Sequence, residues 1–386
     1  MNAESGTRGA GAISDPRLVS LDLPPGANGF VSIDLDAVVE NWRLLRRRVG
    51  PGCVVAAAVK ADGYGMGAVP VARALAAAGC HWFFVHSLDE ALELDSVLAA
   101  GPDRIKIAVL SGPADAMAGH PALVPVVNDL GQLALWRAAA PSGELILHLD
   151  TGLSRLGMPA EEAVRLAAEP ERLDGLKLSL IMSHLACPDT PDHPLNARQL
   201  ADFITLAAPL PRAARSLAAS FGIFLGADYQ LDMVRPGAAL YGVNPTPSLP
   251  NPMRQVVGVK ARILQVRESD AGRAVGYGAA WTADRPCRIA VLGVGYADGV
   301  LRGAGNRASV FIGPQEIPVI GRISMDLITV DVSAVPPHQA QPGGFVDILG
   351  PHYGVDDLGR DSATIGYEVL TRVSRRLPRR YLPVQS

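Results

Sequence analysis

Short apolar runs alternate with longer helix-like stretches along most of this chain, and the alternation limits the folds it can adopt. The helix-like stretches cover residues 68–78, 88–99, 130–140, 159–168 and 194–207. The apolar runs, rich in Val, Ile, Leu and Ala, cover residues 54–60, 82–87, 106–110, 123–128, 144–150, 178–184, 216–220 and 233–237. Strands that are buried on both faces have this composition, so eight units in roughly 200 residues predict an α/β fold, a (β/α)8 TIM barrel. A doubly wound open sheet gives the same local alternation with fewer units.

The predicted barrel covers residues 29–255, and the sequence has a different texture on either side of it. Residues 1–28 are rich in Gly, Pro, Ser and Asn, which predicts a loose N-terminal arm. From 256 to 386 the apolar segments are short and β-branched, which predicts a mostly β C-terminal domain closed by a terminal helix over 362–377. The strand-like segment SIDLDAV near residue 32 either begins the barrel or joins the β domain.

The composition excludes several classes of protein. Lys and Arg number 35 against 38 Asp and Glu, so the net charge of -3 argues against nucleic-acid binding and against a basic membrane patch. No uncharged apolar run approaches the ~18 residues of a membrane-spanning helix, and the N-terminus lacks the apolar core of a secretory signal. The four cysteines are scattered, which predicts neither a metal site nor a disulfide framework. We therefore expect a soluble, cytoplasmic protein.

Only four of the basic residues are lysines, and one of them occupies a chemically distinctive position. Lys60 ends an apolar run and is followed by the glycine-rich turn ADGYGMG, at the strand end where barrel enzymes place reactive groups. Partial desolvation there lowers the pKa of an amine, which suits a nucleophile, a base or a Schiff-base lysine. Taken alone, the same residue could also be a lysine whose ammonium group reaches solvent.

Other polar residues lie at or just beyond the ends of the predicted strands. Arg235 precedes a Pro-Gly turn and Ser220 ends the preceding run, so a phosphate could bind between the last two strands. Arg155, in the loop DTGLSRLG, could bind a carboxylate or a phenolate oxygen. His184 ends the sixth run. Each has an ordinary alternative as a helix cap, a surface arginine or a core histidine.

Three residues of the predicted β domain could also contribute to a site. Tyr277 and Tyr296 lie in the glycine-rich segments VGYGAAW and VGYADG, and Met325 lies in GRISMD. A tyrosine hydroxyl serves as a general acid or base when nearby cations lower its pKa from about 10. An aromatic residue in a β turn is the equally available alternative.

Ordered motifs along the chain resemble those of the alanine racemase family. They are AVKADGYGMG, LDTGLSRLGM, SHLACPDTPDHPLNARQ, DMVRPGAALYG, VGYGAAWTA, GYADG, GRISMD and YEVLTRVSRRLPRRY, and they extend from about residue 30 to 382. The resemblance implies a fold-type III pyridoxal 5'-phosphate (PLP) enzyme, an isomerase with a barrel followed by a β domain. It also implies a homodimer with active sites at the subunit interface and a small amino acid as substrate.

The resemblance assigns the two catalytic bases and the cofactor contacts. Lys60 would hold PLP covalently and exchange the α-proton of the D-enantiomer, and Tyr277 from the partner subunit would serve the L-enantiomer. Arg235 would face the pyridine nitrogen, with His184 orienting it. The further cofactor contacts it implies are Arg155 at the phenolic oxygen and Tyr64, Ser220, the backbone of Gly237 and Tyr367 at the phosphate.

The resemblance also assigns the substrate pocket. Arg155 would bind the substrate carboxylate, and Met325 would line the pocket around it. Tyr296 and Tyr367 would form the entrance, with Arg379 farther out. A pocket this narrow favours alanine, while a serine or broad-specificity racemase of the same fold is the alternative. A decarboxylase of the same fold and a non-catalytic PLP-binding barrel protein are more remote.

Three segments depart from the usual family pattern. His148 stands where the family commonly has a lysine, often carbamylated, that braces the arginine corresponding to Arg155. Ala219 replaces an asparagine that precedes the phosphate-binding serine, and the first turn has ADGYG where ANAYG is commoner. The sequence leaves open what braces Arg155 and how tightly PLP binds, and it does not separate D-alanine biosynthesis from alanine catabolism.

Overall fold

The computed structural model describes residues 26–98 and 105–382. These residues form two compact units, one comprising residues 36–254 and the other combining the segment before residue 36 with the chain from Gln255 onward. Most of the predicted N-terminal arm lies outside the described residues.

The first unit is a parallel β-barrel. Its eight strands, numbered here in chain order, are one (Val54–Val55 and Ala57–Ala58), two (Trp82–Val85), three (Lys106–Val109), four (Leu123–Val127), five (Glu144–His148), six (Lys177–Met182), seven (Ala214–Ser216) and eight (Met233–Val234). Strands one to seven form one continuous parallel sheet through Ala57–Ala58. Strand eight pairs with Val54–Val55, and Ala219 bridges Arg235 in parallel, which closes the barrel. The predicted fold class is therefore confirmed.

The barrel interior is filled by buried side chains from nearly every strand. Strand one contributes only alanines, Ala56 and Ala58, while strand two contributes Phe84. Because side chains alternate across a strand, the residues between these point outward, toward the surrounding helices. The other interior residues are Ala108, Val124, Val126, Ile146, Leu180, Met182 and Met233.

Helices cover the outside of the barrel less regularly than the alternation predicted. The helices described for this part of the chain are Leu35–Arg48, Lys60–Tyr64, Ala68–Ala77, Leu88–Leu98, Leu130–Ala139, Ala160–Ala168, Pro194–Ala207 and Ala227–Gln230. Within the described part of this unit, the one helical segment after strand eight is a short 3-10 turn, Ala238–Tyr241. The helix Leu35–Arg48, which we did not predict from the sequence, contacts strand one and the turn after strand eight. Trp42 Nε1 donates to Val55 O (3.0 Å), and Asn41 Nδ2 donates to Leu240 O (3.2 Å).

The second unit is built on one eight-stranded sheet. Its strands are Gly29–Asp34, Val257–Ser269, Cys287–Leu292, Ser309–Ile312, Gln315–Pro318, Ile328–Asp331, Phe345–Leu349 and Arg379–Leu382. The pair Ala274–Val275 and Trp281–Thr282 forms a separate hairpin. Lys260 and Asp347 are register partners and form a buried ion pair between the strands Val257–Ser269 and Phe345–Leu349.

The first strand-like segment belongs to this second unit. Gly29–Asp34 pairs antiparallel with Val257–Ser269 and parallel with Arg379–Leu382, so strands from opposite ends of the chain meet in one sheet. No local pattern in the sequence predicts such a pairing, because the paired residues are more than 200 positions apart.

The C-terminal helix is shorter than predicted. Instead of one helix over 362–377, the structure has Val355–Asp361 and Gly366–Arg372, followed by the strand Arg379–Leu382. Pro378 explains part of the difference, since a proline disfavours helical geometry in the residue before it. Its carbonyl accepts from Val31 N (2.9 Å), which begins the parallel pairing with the first strand.

In residues 26–98 and 105–382, no helix combines the length and the apolar character that crossing a membrane requires.

Candidate active site

A turn of left-handed helix follows strand one and begins at Lys60. Ala61, Asp62, Gly63 and Tyr64 have φ of 54°, 53°, 60° and 55°. Lys60 therefore does not end the strand, as predicted, but starts this turn. Left-handed geometry costs about 1–2 kcal/mol for each residue that carries a Cβ, so surrounding contacts must hold it in place.

Two carboxylates supply such contacts. Glu90 Oε1 accepts from Ala61 N (2.6 Å), and Asp62 Oδ1 accepts from Ala68 N (2.9 Å) at the start of the next helix. The other oxygen of Glu90 accepts from the backbone of His86 and Ser87. We did not anticipate Glu90 from the sequence, although the pattern S-x-x-E at residues 87–90 is the signature of a helix capping box.

Lys60 lies half-buried among charged groups. Burial lowers the pKa of its ammonium group, the positive charge of Arg155 lowers it further, and the carboxylate of Glu90 opposes both. A larger fraction of neutral amine is therefore available near pH 7 than on an exposed lysine, which is the form that acts as a nucleophile or base.

Three of the predicted phosphate-binding residues come together beyond strands seven and eight. Ser220 Oγ accepts from the backbone N–H groups of Gly237 (3.0 Å) and Ala239 (3.1 Å), so its own proton remains for another acceptor. The backbone of Gly237 approaches Tyr64 so closely that a Cβ there would collide with the phenol oxygen. Burial raises the pKa of Tyr64 to about 12, which keeps its hydroxyl a donor at neutral pH.

Arg235 is a buried cation whose described hydrogen-bond partners are all neutral. Its guanidinium donates to Ser216 Oγ, to the carbonyl of Ser183 (2.6 Å) and, at 3.5 Å, to the carbonyl of Leu217 and to Nδ1 of His184. Burial lowers the pKa of Arg235 to about 10, so the group stays charged at pH 7. A buried charge without an opposite charge is costly, and such groups mark sites that bind polar or anionic ligands.

Two histidines lie close to these cations. Burial, followed by the charges of Arg235 and Arg155, lowers the pKa of His184 to about 3. His148 is buried against Asn128, with 2.8 Å between its Nδ1 and the amide oxygen. Arg155 itself is exposed in the loop after strand five, yet near enough for its charge to act on Lys60, His148 and His184.

The remaining predicted site residues belong to the second unit. Tyr277 is 72% exposed and lies between Gly276 and Gly278, whose φ values of 72° and 69° favour glycine. The segments that carry Tyr296 and Met325 are bonded together, because Tyr296 N donates to Ser324 O (3.0 Å) and Ala297 N to Met325 O (2.9 Å).

Tyr367 and Arg379 also lie in this unit. Tyr367 is part of the helix Gly366–Arg372, and Arg379 begins the last strand. The side chain of Arg379 donates to the carbonyl of Val373 (3.0 Å). Within the described residues, no group of three or more His, Cys, Asp or Glu side chains could hold a metal ion.

Comparison with known proteins decides the family. Residues 33–245 match the family model described as alanine racemase, N-terminal domain, and residues 256–381 match the one described as alanine racemase, C-terminal domain. The chain belongs to the alanine racemase family. The resemblance found in the sequence motifs is thus confirmed, and the enzyme class is that of an isomerase.

Relatives in this family match along nearly their whole length. The alanine racemase of Rhodospirillum rubrum is 47% identical over 362 residues, covering 92% of this chain and 96% of that protein. A protein of Mesorhizobium japonicum described as a catabolic alanine racemase is 44% identical over 360 residues, covering 92% of this chain and 94% of that protein.

A solved alanine racemase has the same fold. The crystal structure of the enzyme from Bartonella henselae, with covalently bound pyridoxal phosphate, is 37% identical and superposes with a TM-score of 0.87. The match covers 92% of this chain and 99% of that one.

Proposed function

We propose that this member of the alanine racemase family binds PLP at Lys60 and interconverts L- and D-alanine. The observation that carries the proposal is the cation cluster at the carboxyl ends of the barrel strands. Lys60 is an amine with a lowered pKa, Arg235 is a buried cation with neutral partners, and Arg155 lies nearby. This arrangement suits a ligand that carries an aldehyde and several negative charges.

The residues around the cluster fit the groups of PLP. Tyr64, Ser220 and the backbone of Gly237 would hold the phosphate, together with Tyr367. Arg155 would bind the phenolic oxygen and the substrate carboxylate. Arg235 would face the pyridine nitrogen and keep it unprotonated, since a guanidinium does not release its proton. When bound, PLP withdraws electrons from the α-carbon of an attached amino acid and so acidifies its proton.

The hydrogen bond from Arg235 indicates which tautomer His184 adopts. A guanidinium can only donate, so Nδ1 of His184 accepts, and the proton of this imidazole lies on Nε2. The low pKa of His184, about 3, keeps the ring neutral at physiological pH. His184 would therefore orient Arg235 without adding a second charge beside it.

Racemisation requires one base on each face of the α-carbon. Lys60 Nζ would remove or return the α-proton of D-alanine, and the Tyr277 hydroxyl would do so for L-alanine. We propose that Tyr277 comes from the partner subunit of a homodimer, and its high exposure in the single chain is consistent with that role. Met325 and Tyr296 would limit the space beside the carboxylate, with Tyr296 and Tyr367 at the entrance and Arg379 farther out. Cytoplasmic localisation also remains a prediction.

The first experiment tests Lys60. The Lys60→Ala protein should lack the visible absorbance of bound PLP and should not racemise alanine, because no amine is left to hold the cofactor. Lys177→Ala is the matched control, since Lys177 is exposed and pairs with Glu144 at the opposite strand end. An absorbance band or racemase activity that survives in Lys60→Ala would refute the assignment.

Substrate choice is tested on the parent enzyme. Measured against a panel of L-amino acids, racemisation should be fastest with alanine and fall sharply for serine and larger side chains. Comparable kcat/KM for serine or for several larger amino acids would establish the broad-specificity alternative instead.

A further inference from the structure

A buried polar relay fixes the protonation of His148. The imidazole is 7% exposed, and its Nδ1 lies 2.8 Å from Oδ1 of Asn128, which is 4% exposed. Asn128 in turn lies against Gln132 on the following helix, whose Oε1 accepts from the backbone N–H of Asn128 (2.9 Å). From the sequence, Asn128 and His148 were expected at strand ends, and His148 at the position of the family's bracing lysine, whereas Gln132 was not anticipated.

The surroundings of Asn128 determine which way its amide faces. Its Nδ2 lies 3.0 Å from Val126 O, 3.3 Å from Leu110 O and 3.2 Å from Gln132 Oε1, all of which are acceptors. The amide nitrogen must therefore occupy that side, and the amide oxygen faces the histidine. An oxygen can only accept, so Nδ1 of His148 carries the ring proton, and Nε2 keeps a free lone pair.

Two arginines act electrostatically on His148. Arg235 already donates to Ser216, Ser183 and the ring of His184. Arg155 lies on the loop that follows His148 and is near enough for its charge to act on the imidazole. The loop that carries Arg155 returns to His148, because Met158 N donates to His148 O (2.7 Å), and this makes Arg155 the candidate donor to a neutral acceptor at Nε2.

We propose that His148 is a positioning residue, held as the Nδ1-protonated tautomer by Asn128 and Gln132, whose Nε2 accepts from Arg155 and orients that guanidinium toward its anionic ligand. The proposal rests on the proposed function, since it assumes that Arg155 binds the phenolic oxygen of PLP and the substrate carboxylate. It also answers what can brace Arg155 at a position without a lysine.

The imidazole must stay neutral for this role, because an imidazolium would repel Arg155. Burial, followed by the charge of Arg235, lowers the pKa of His148 to about 4; Asp150 opposes this and Arg155 adds to it. His184, whose own pKa is about 3, adds no positive charge beside it near pH 7. The relay should therefore keep one tautomer throughout the neutral pH range.

Two amide substitutions at His148 test the roles of Nδ1 and Nε2 separately. The amide of asparagine lies near the place of Nδ1, and the amide of glutamine lies near that of Nε2. His148→Asn would keep the bond to Asn128 but remove the acceptor for Arg155, whereas His148→Gln would keep the acceptor. We expect His148→Asn to raise KM for alanine and Kd for PLP about tenfold, with a smaller change in kcat, and His148→Gln to stay closer to the parent. If His148 were only a packing residue bonded to Asn128, the order of the two variants would be reversed.

A second measurement does not depend on catalysis. In the PLP-free protein with 15N-labelled histidine, the His148 ring should show a protonated Nδ1 and an unprotonated Nε2, without titration between about pH 5.5 and 8. A proton on Nε2, a titration in this range, or a His148→Asn protein that matches the parent in both KM and PLP affinity would overturn the proposal. If the parent itself fails to racemise alanine, the proposed function is refuted, while the tautomer and the PLP affinities still decide the role of His148.

Discussion

At the scale of single residues, Gly237 shows how closely the backbone approaches the groups that we propose bind the phosphate. Its backbone N–H donates to Ser220 Oγ (3.0 Å), and the space where a Cβ would project is already occupied by the phenol of Tyr64. Because Tyr64 is buried and its ring lies against Tyr241, with 4.9 Å between ring centroids, it cannot move aside freely.

We therefore expect Gly237→Ala to displace Tyr64 and to weaken PLP binding at least tenfold, since overpacking a rigid site costs about 1–3 kcal/mol. The measurement is the Kd for PLP, obtained by titrating the cofactor-free protein. Gly50→Ala is the matched control, because a Cβ at Gly50 would meet no atom within 4 Å. An unchanged Kd in Gly237→Ala would show that Tyr64 does not contact the phosphate.

At the scale of elements, Glu90 connects two loops at the carboxyl edge of the barrel. As the third helical residue after Ser87, it completes a capping box for the helix Leu88–Leu98. The same carboxylate reaches Ala61 N and holds the left-handed turn that begins at Lys60. The charge that stabilises the turn therefore also acts on the amine.

Replacing Glu90 with glutamine should change both the pKa of Lys60 and the free energy of unfolding. Its negative charge raises the pKa of Lys60, so Glu90→Gln should lower that pKa and increase the neutral amine at a given pH. The rate at which the cofactor-free protein combines with PLP should then reach half its maximum at a lower pH. Losing the charge-assisted cap should also reduce the free energy of unfolding by about 1–2 kcal/mol.

Glu93→Gln, on the exposed face of the same helix, is the control and should leave the pKa of Lys60 and the free energy of unfolding unchanged. An unshifted pH profile in Glu90→Gln, with the turn still formed, would mean that Glu90 does not influence the amine.

At the scale of the whole molecule, the two proposed bases belong to different units of the chain. If Tyr277 acts across a homodimer, Lys60→Ala and Tyr277→Phe subunits should complement each other when mixed. Each hybrid dimer would then contain one site with both bases, and an equal mixture should recover about a quarter of the parental racemase activity.

The separate variants, each inactive or nearly so, are the controls for this experiment, and sedimentation should show dimers throughout. Dimers without any recovery of activity would mean that both bases come from the same chain.

Local patterns predicted much of the architecture. The barrel strands lie close to the apolar runs, and most helices begin or end within a residue or two of their predicted bounds, because hydrophobic periodicity depends on neighbouring residues. Lys60, Ser220 and Arg235 could be chosen as candidates for the same reason, since each follows an apolar run that ends at one edge of the barrel. The motifs of the family then gave these candidates specific chemical roles.

Other features depend on residues that are far apart in the sequence. The pairing of Gly29–Asp34 with Arg379–Leu382, the neutral partners of Arg235 and the contact of Glu90 with Ala61 arise only when distant segments meet. The class of fold, the family and the side chains available for chemistry thus follow from patterns among neighbouring residues. The left-handed turn at Lys60 and the tautomer that Asn128 imposes on His148 could be seen only in the folded chain, because protonation and backbone strain follow from the atoms that surround a group in space.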